Sequence, residues 1–139
     1  MIKCKNVLNL CVPYPNIESG LVKTRHRYVV KTDKFEVHSI QTLKQTNVGK
    51  DYLKEKIIIY PQDMPKSIDH MSALDLSKCF LLSGVVISDL AKYPDDLPDI
   101  KFYQLVHYTN IPKILPITAS LLVQANPKVV SIEETATGA

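Results

Sequence analysis

The sequence has no tryptophan, only two arginines and only four glycines among its 139 residues. The glycines lie at Gly20, Gly49, Gly84 and Gly138, too far apart for the loops G-x-x-x-x-G-K-[ST] or G-x-G-x-x-G. Nucleotide-binding loops of those two types are therefore excluded. The HExxH zinc motif and the GxSxG nucleophile elbow are also missing, so the hydrolases that carry them are not indicated.

Cysteine and long apolar runs are also scarce. Three cysteines, Cys4, Cys11 and Cys79, have no CxxC spacing, and the opening "MIKCKNVLNLCVPYP" has too short an apolar run for a signal peptide. This combination favours reduced thiols and a soluble, cytoplasmic protein. No window approaches the roughly 18 apolar residues of a membrane span. Four scattered histidines give no metal-ligand spacing, so we expect neither metal nor cofactor.

The composition is that of an ordinary globular protein with a slightly basic balance. Hydrophobic residues make up 45% and charged residues 22%, and the length suggests a single domain over 1–139. The formal net charge of +3 permits an anionic partner without requiring one.

Short apolar or alternating segments, separated by turn residues, predict a mainly β protein. Strands are predicted over 6–12, 27–33, 35–43 and 56–61, and one long or two short strands over 73–87. Residues 88–100 begin like a short helix, 101–109 fit a strand or a short helix, and 117–126 fit a helix between two prolines. We therefore predict a small barrel or a strongly bent antiparallel sheet with one or two C-terminal helices. Its core covers about 6–87, with a helical or irregular extension over 88–132 and a flexible tail over 133–139.

The segment "VKTRHRYVV" at 22–30 holds both arginines of the chain, together with Lys23 and His26. If it is a strand, Arg25 and Arg27 lie on the same face. Two guanidinium groups at one site favour an anionic guest, and a phosphate diester suits their forked geometry. The alternative is that these residues are solvated and protect a strand end from aggregation.

The next segment, "FEVHSIQTL", alternates so that His38, Ile40 and Thr42 share a face. If it pairs with the preceding strand as a hairpin, Thr42 returns to the neighbourhood of Arg25, and Lys44 adds a positive charge. Arginine, a hydroxyl group and an imidazole form a workable set for cleaving RNA without a metal. The alternative for each histidine is a surface or half-buried residue without a role.

The order of these segments resembles the MazF/PemK toxin family over roughly residues 6–87. The similar stretches are "VPYP", the turn with Gly20, "KTRHRYVV", "HSIQTLK" and "SALDLSKCFLL". The resemblance implies an SH3-like barrel that cuts single-stranded RNA without metal and is neutralised by an antitoxin. It implies a catalytic role for Arg25, phosphate binding by Thr42, and a dimer-face strand that begins at Ser72. The sequence departs from the family pattern where His26 stands in place of the usual proline.

The sequence therefore predicts a metal-independent endoribonuclease toxin that cleaves single-stranded RNA by attack of the ribose 2′-OH. The expected partners are single-stranded RNA, an antitoxin protein and a second copy of the chain. The residues expected to be catalytic are Arg25, Thr42 and His26, and those expected to bind substrate are Arg27, Lys23, His38 and Lys44. One alternative is a catalytically inactive SH3-like barrel that binds protein or nucleic acid. Another is an accessory protein of a phage or mobile element with no nucleic-acid role.

Overall fold

The computed structural model describes residues 1–14, 25–43 and 54–134, which form nine strands and two α-helices. The strands are β1 (Val7–Leu10), β2 (His26–Val30), β3 (Glu36–Thr42), β4 (Lys56–Ile59), β5 (Ser72–Asp75), β6 (Lys78–Leu82), β7 (Val85–Ile87), β8 (Lys113–Ile117) and β9 (Val130–Ile132). The helices are α1 (Asp99–Val106) and α2 (Ala119–Ala125), and 3-10 turns lie at Pro61–Asp63 and Asp89–Ala91. In these ranges, neither helix has the length and apolar character needed to cross a membrane.

Seven strands form one sheet around the central strand β3. β1, β2 and β3 pair antiparallel in sequence order, and the other side of β3 pairs with β5 and then with β6. β4 pairs antiparallel with β5, whereas β8 pairs parallel with β6. β7 and β9 form a separate two-stranded ribbon. The prediction of a mainly β fold with an antiparallel sheet and C-terminal helices is confirmed, but across the described strands the sheet does not close into a barrel.

Both faces of the sheet are buried, because apolar side chains alternate between two hydrophobic clusters along the inner strands. The α1-side core includes Val7, Val29, Ile40, Ile57, Ile59, Leu74, Leu97 and Leu105. The α2-side core includes Leu8, Leu10, Tyr28, Val30, Val37, Phe80, Leu82 and Leu122. The neighbouring residues Val7 and Leu8 thus belong to opposite faces, which explains why strand 6–12 is apolar almost throughout.

The C-terminal third contributes strands as well as helices. The predicted helical or irregular extension over 88–132 was wrong in this respect, since both β8 and β9 lie within it. The alternative of a strand over 101–109 was also wrong, because α1 covers most of that range. β8 contains Pro116, which lacks a backbone N–H and is tolerated in a strand only where no ladder bond is needed. Its only partner among the described strands is β6, so Pro116 sits at a sheet edge.

The β2–β3 hairpin, which the sequence predicted, sets the position of the basic segment. Its turn is closed by a 3.1 Å hydrogen bond from the Phe35 N–H to the Thr32 carbonyl, and Phe35 adopts φ +58°. In the strand register, Arg27 lies opposite Ile40. Extending this register by two residues brings position 25 opposite position 42. The open end of the hairpin therefore gathers the basic residues and the hydroxyl group.

Candidate functional site

A basic groove lies at the open end of the β2–β3 hairpin, with a volume of about 460 Å³. The described residues that line it are Arg25, His26, Arg27, Ile40, Gln41, Thr42 and Tyr93. None of these residues carries a carboxylate, so the lining that the structure describes is positively charged and polar above a buried isoleucine. Such a surface suits an anionic ligand with one apolar side.

The central contact of the groove joins Arg27 to Thr42. A guanidinium nitrogen (Nη2) of Arg27 donates a 2.8 Å hydrogen bond to Oγ1 of Thr42. This bond uses one of the five N–H donors of arginine and leaves others available. The sequence placed Thr42 beside Arg25; both residues line the groove, but the direct hydrogen bond is made by Arg27, two residues further along the strand.

His26 lies half-buried at the start of β2 and lines the same groove. Burial lowers the pKa of His26 below its ordinary value, and the neighbouring positive charge of Arg27 lowers it further. Both causes disfavour the imidazolium form. At neutral pH the imidazole is therefore neutral, which is the form that accepts a proton.

Tyr93 reaches the groove from a segment that sequence reasoning did not connect to it. A bridge between Leu8 and Lys92 and a 2.8 Å hydrogen bond from the Tyr93 N–H to the Val7 carbonyl fix this segment against β1. The ring is partly buried against the α1-side core. No local motif around "AKYPDD" indicates this placement, because it depends on a contact across more than 80 positions.

Asp69 and His70 form a titratable pair near the groove, which sequence reasoning also missed. Nδ1 of His70 is 2.7 Å from a carboxylate oxygen of Asp69. The hydrogen bond to His70 holds the pKa of Asp69 below its ordinary value, and Arg27 contributes to the same shift. Arg27 is therefore within electrostatic reach of this pair. In the β3–β5 register, Ser72 lies opposite Thr42, which brings the segment before β5 to the same end of the sheet.

The structure does not bring every predicted site residue into the groove. His38 shares a face with Ile40 and Thr42, as predicted, but its side chain is only 1% exposed and it does not line the groove. Its Nδ1 bonds to the Asp75 carbonyl at 2.8 Å, so the expectation that His38 binds substrate there does not fit its position. Lys23 and Lys44 lie outside the described residues.

The buried state of His38 leads to a prediction about acid stability. Burial is the main cause that lowers the pKa of His38 below its ordinary 6.5. The unfolded chain therefore takes up this proton at a higher pH than the folded protein, and stability falls as the pH drops below about 6.5. We expect urea denaturation to show a lower free energy of unfolding at about pH 5 than at about pH 7.

The variant His38→Asn should reduce this pH dependence, because asparagine retains an N–H for the Asp75 carbonyl but does not titrate. His107→Asn, at an exposed position, is the matched control for the replacement of an imidazole by an amide. A pH dependence of the same size in His38→Asn and the unsubstituted protein would contradict this assignment.

Neither metal geometry nor similarity to known proteins adds to these observations. Within residues 1–14, 25–43 and 54–134, no three His, Cys, Asp or Glu side chains are grouped closely enough to hold a metal ion. No protein-family model matches the chain, and neither a curated protein nor a solved structure matches it. Any functional assignment therefore depends on the groove and on the short motifs of the sequence.

Proposed function

We propose that the protein is a metal-independent endoribonuclease of the MazF/PemK type that binds single-stranded RNA in the basic groove. The observation that carries this proposal is the 2.8 Å hydrogen bond between Arg27 and Thr42 in a groove that Arg25 also lines. Two guanidinium groups and a hydroxyl group converge there, and the described lining offers no carboxylate to neutralise them. A phosphodiester supplies the missing negative charge.

Phosphate recognition follows from the positions of these side chains. Arg27 is held in place by Thr42, which reduces the conformational freedom that it loses when a ligand binds. Arg25 and Arg27 bring two like charges to one groove, and a bound phosphate reduces the repulsion between them. The negative charge on the phosphate grows as the 2′-oxygen attacks, so the two guanidinium groups stabilise the transition state more than the ground state.

Cleavage by the ribose 2′-OH needs one group to accept a proton and another to donate one. The neutral imidazole of His26 accepts the proton from the attacking 2′-OH. His70, which lies outside the described lining with its Nδ1 against the carboxylate of Asp69, is the candidate donor of a proton to the leaving 5′-oxygen. The products are a 2′,3′-cyclic phosphate and a free 5′-OH, and no metal ion enters this sequence of steps.

The resemblance to the MazF/PemK toxins extends the proposal to partners and location. On that basis the protein acts in the cytoplasm, forms a homodimer and is inhibited by an antitoxin protein. An acidic antitoxin segment would compete with RNA for Arg25 and Arg27, because both ligands offer negative charge to the same groove.

A binding module without catalytic activity is the alternative, and one observation favours it. Among the described residues that line the groove, His26 is the single imidazole, whereas His70 lies outside the lining. A groove that binds RNA but has only one proton-transfer group would hold the phosphate without cleaving it. RNA binding without cleavage, together with harmless overproduction in cells, would support this alternative.

The test of the proposed function uses Thr42. We expect Thr42→Ala to lower kcat/KM for a single-stranded RNA by about 10²-fold, since it removes the hydroxyl group that positions Arg27. Thr42 is exposed, so its loss should change the free energy of unfolding by less than about 1 kcal/mol. Thr42→Ser retains the hydroxyl group and should keep most of the activity.

The matched readouts are RNA cleavage in EDTA and growth arrest on overproduction. Cleavage should persist in EDTA, and both cleavage and growth arrest should weaken in Thr42→Ala but not in Thr42→Ser. Equal activity of the alanine and serine variants would remove the role assigned to the hydroxyl group. Loss of cleavage in EDTA would contradict a metal-independent reaction.

A further inference from the structure

A second pocket, of about 150 Å³, is lined by Lys31 and His38, which lie closer to the turn of the β2–β3 hairpin than the groove residues Arg27 and Ile40. Its lining residues are Lys31, His38, Leu76, Leu105, Tyr108, Thr109, Asn110, Ile111 and Pro112. The lining combines apolar side chains with a cation, an imidazole, hydroxyl groups and an amide. None of these residues lines the basic groove.

One ring nitrogen of His38 has a hydrogen-bond partner, and the other has none among the described residues. Nδ1 is 2.8 Å from the carbonyl oxygen of Asp75, and a carbonyl oxygen only accepts hydrogen bonds. Nδ1 therefore carries the proton, and in the neutral ring Nε2 is an acceptor. Nε2 is fully buried and has no hydrogen-bond partner among the described residues. A buried polar atom without a partner costs free energy, so a donor that reached Nε2 would bind favourably.

The charges around His38 determine which donor fits. Lys31 lines the pocket, and within the described part of the chain no carboxylate lies within salt-bridge distance of it. The negative charges of Glu36 and Asp75 also affect the pKa of His38. Glu36 already has a partner, since it accepts a hydrogen bond from Thr32. Asp75 contacts Lys56 at 3.6 Å and accepts a hydrogen bond from Ser77. The remaining titratable group of the pocket lining is the Tyr108 hydroxyl, which accepts a hydrogen bond from Asn110. Lys31 is thus the charge that remains for a ligand.

We infer that this pocket binds a small carboxylic acid with a short apolar body. The acid hydroxyl donates to Nε2 of His38, and the second oxygen accepts a hydrogen bond from Lys31. The apolar body lies against the apolar side chains Leu76, Leu105 and Ile111. In terms of charge, the pocket takes up one carboxylate and one proton together, whichever of the ligand and His38 holds the proton in the complex.

Butyrate is the probe for this site, because its propyl group and carboxyl group match the apolar and the polar side chains of the lining. We expect isothermal titration to give a Kd of about 1 mM near neutral pH, within the range open to a ligand of this size. Since one proton is taken up, the affinity should fall about tenfold for each pH unit above neutrality. Titration in buffers of different ionisation enthalpy should report this uptake directly.

A nitrogen NMR spectrum of the histidine rings provides a second readout. Butyrate should shift the His38 Nε2 signal from the position of an unprotonated acceptor towards that of a protonated or hydrogen-bonded nitrogen. The neutral isostere butyramide takes up no proton when it binds, so its affinity should not change with pH above neutrality. RNA cleavage is not a readout here, so failure of the nuclease proposal would leave this test intact.

Two variants and one control complete the experiment. His38→Asn, which retains a donor for the Asp75 carbonyl but has no atom at the position of Nε2, should abolish butyrate binding. Lys31→Met, which retains the apolar stem, should weaken binding by about tenfold or more. The control Lys34→Met alters an exposed lysine outside the pocket and should leave binding unchanged. The inference is overturned if butyrate leaves the His38 signals unchanged, or if its affinity does not fall as the pH rises above neutrality.

Discussion

Replacing Arg27 by alanine is expected to lower kcat/KM for single-stranded RNA by about 10³-fold, with little change in stability. Arg27 donates to Thr42 in the groove, and this bond uses only one of its five N–H donors. Its loss removes both a positive charge and the fork that binds two phosphate oxygens. Cleavage of a short fluorescent RNA under single-turnover conditions measures this effect.

Arg27→Lys separates charge from geometry. Lysine retains the positive charge but lacks the planar fork, so it should recover only part of the lost activity. Lys78→Ala serves as the control for a general loss of positive charge, because Lys78 is exposed on β6 and does not line the groove. Activity in Arg27→Ala close to that of Lys78→Ala would exclude Arg27 from the chemistry.

Arg27→Ala should also change the titration of His26. The charge of Arg27 is one of the two causes that lower the pKa of His26, after burial. Removing that charge should raise the pKa of His26 towards its ordinary value, which proton NMR can follow. An unchanged His26 titration would mean that the two side chains do not interact in the folded protein.

The sequence and the structure differ over which arginine of the groove contributes more to cleavage. The sequence, read through the family resemblance, assigns the catalytic role to Arg25, whereas the hydrogen bond to Thr42 is made by Arg27. A larger loss of cleavage in Arg25→Ala than in Arg27→Ala would favour the assignment from the sequence. The reverse order would favour the assignment from the contact.

The β2–β3 hairpin, and the set of side chains that share a face with Thr42, could be predicted because both depend on the local alternation of residues. Alternation in "FEVHSIQTL" fixes which side chains accompany Thr42, and the turn after β2 fixes the register. Together these place Arg27 and Thr42 on one face before any tertiary contact is known. The apolar run at 6–12 was likewise informative, since a strand that is buried on both faces needs apolar residues at almost every position.

The rest of the site depends on contacts that no local pattern records. Tyr93 enters the groove only because its segment is bonded to β1. Asp69 comes within electrostatic reach of Arg27 only because β5 pairs with β3. His38 is buried and bonds to the carbonyl of Asp75, the last residue of β5, and this contact joins residues 37 positions apart. Alternation places His38 on the correct face, but it cannot tell an open groove from a covered core on that face.

The second large effect is expected at the end of the C-terminal helix α2, where a buried side chain bonds to the residue that follows β1. Asn126, which ends α2, accepts a 2.8 Å hydrogen bond from the Cys11 N–H through its side-chain oxygen. Its amide nitrogen donates to the carbonyl oxygens of Cys11 and Leu122, at 2.7 and 2.9 Å. The side chain thus satisfies both backbone groups of a buried residue 115 positions away.

Asn126→Ala is therefore expected to lower the free energy of unfolding by about 3–5 kcal/mol, since it leaves the N–H and the carbonyl of Cys11 buried without partners. A loss of this size is a large part of the total stability of a small protein, and urea denaturation measures it. Asn110→Ala is the matched control, because Asn110 is exposed and its hydrogen bonds are long, at 3.3 and 3.5 Å. It should change stability by less than about 0.5 kcal/mol. If Asn126→Ala costs no more than Asn110→Ala, α2 does not depend on this connection, and the apolar contacts of Leu122 must hold the helix against the sheet.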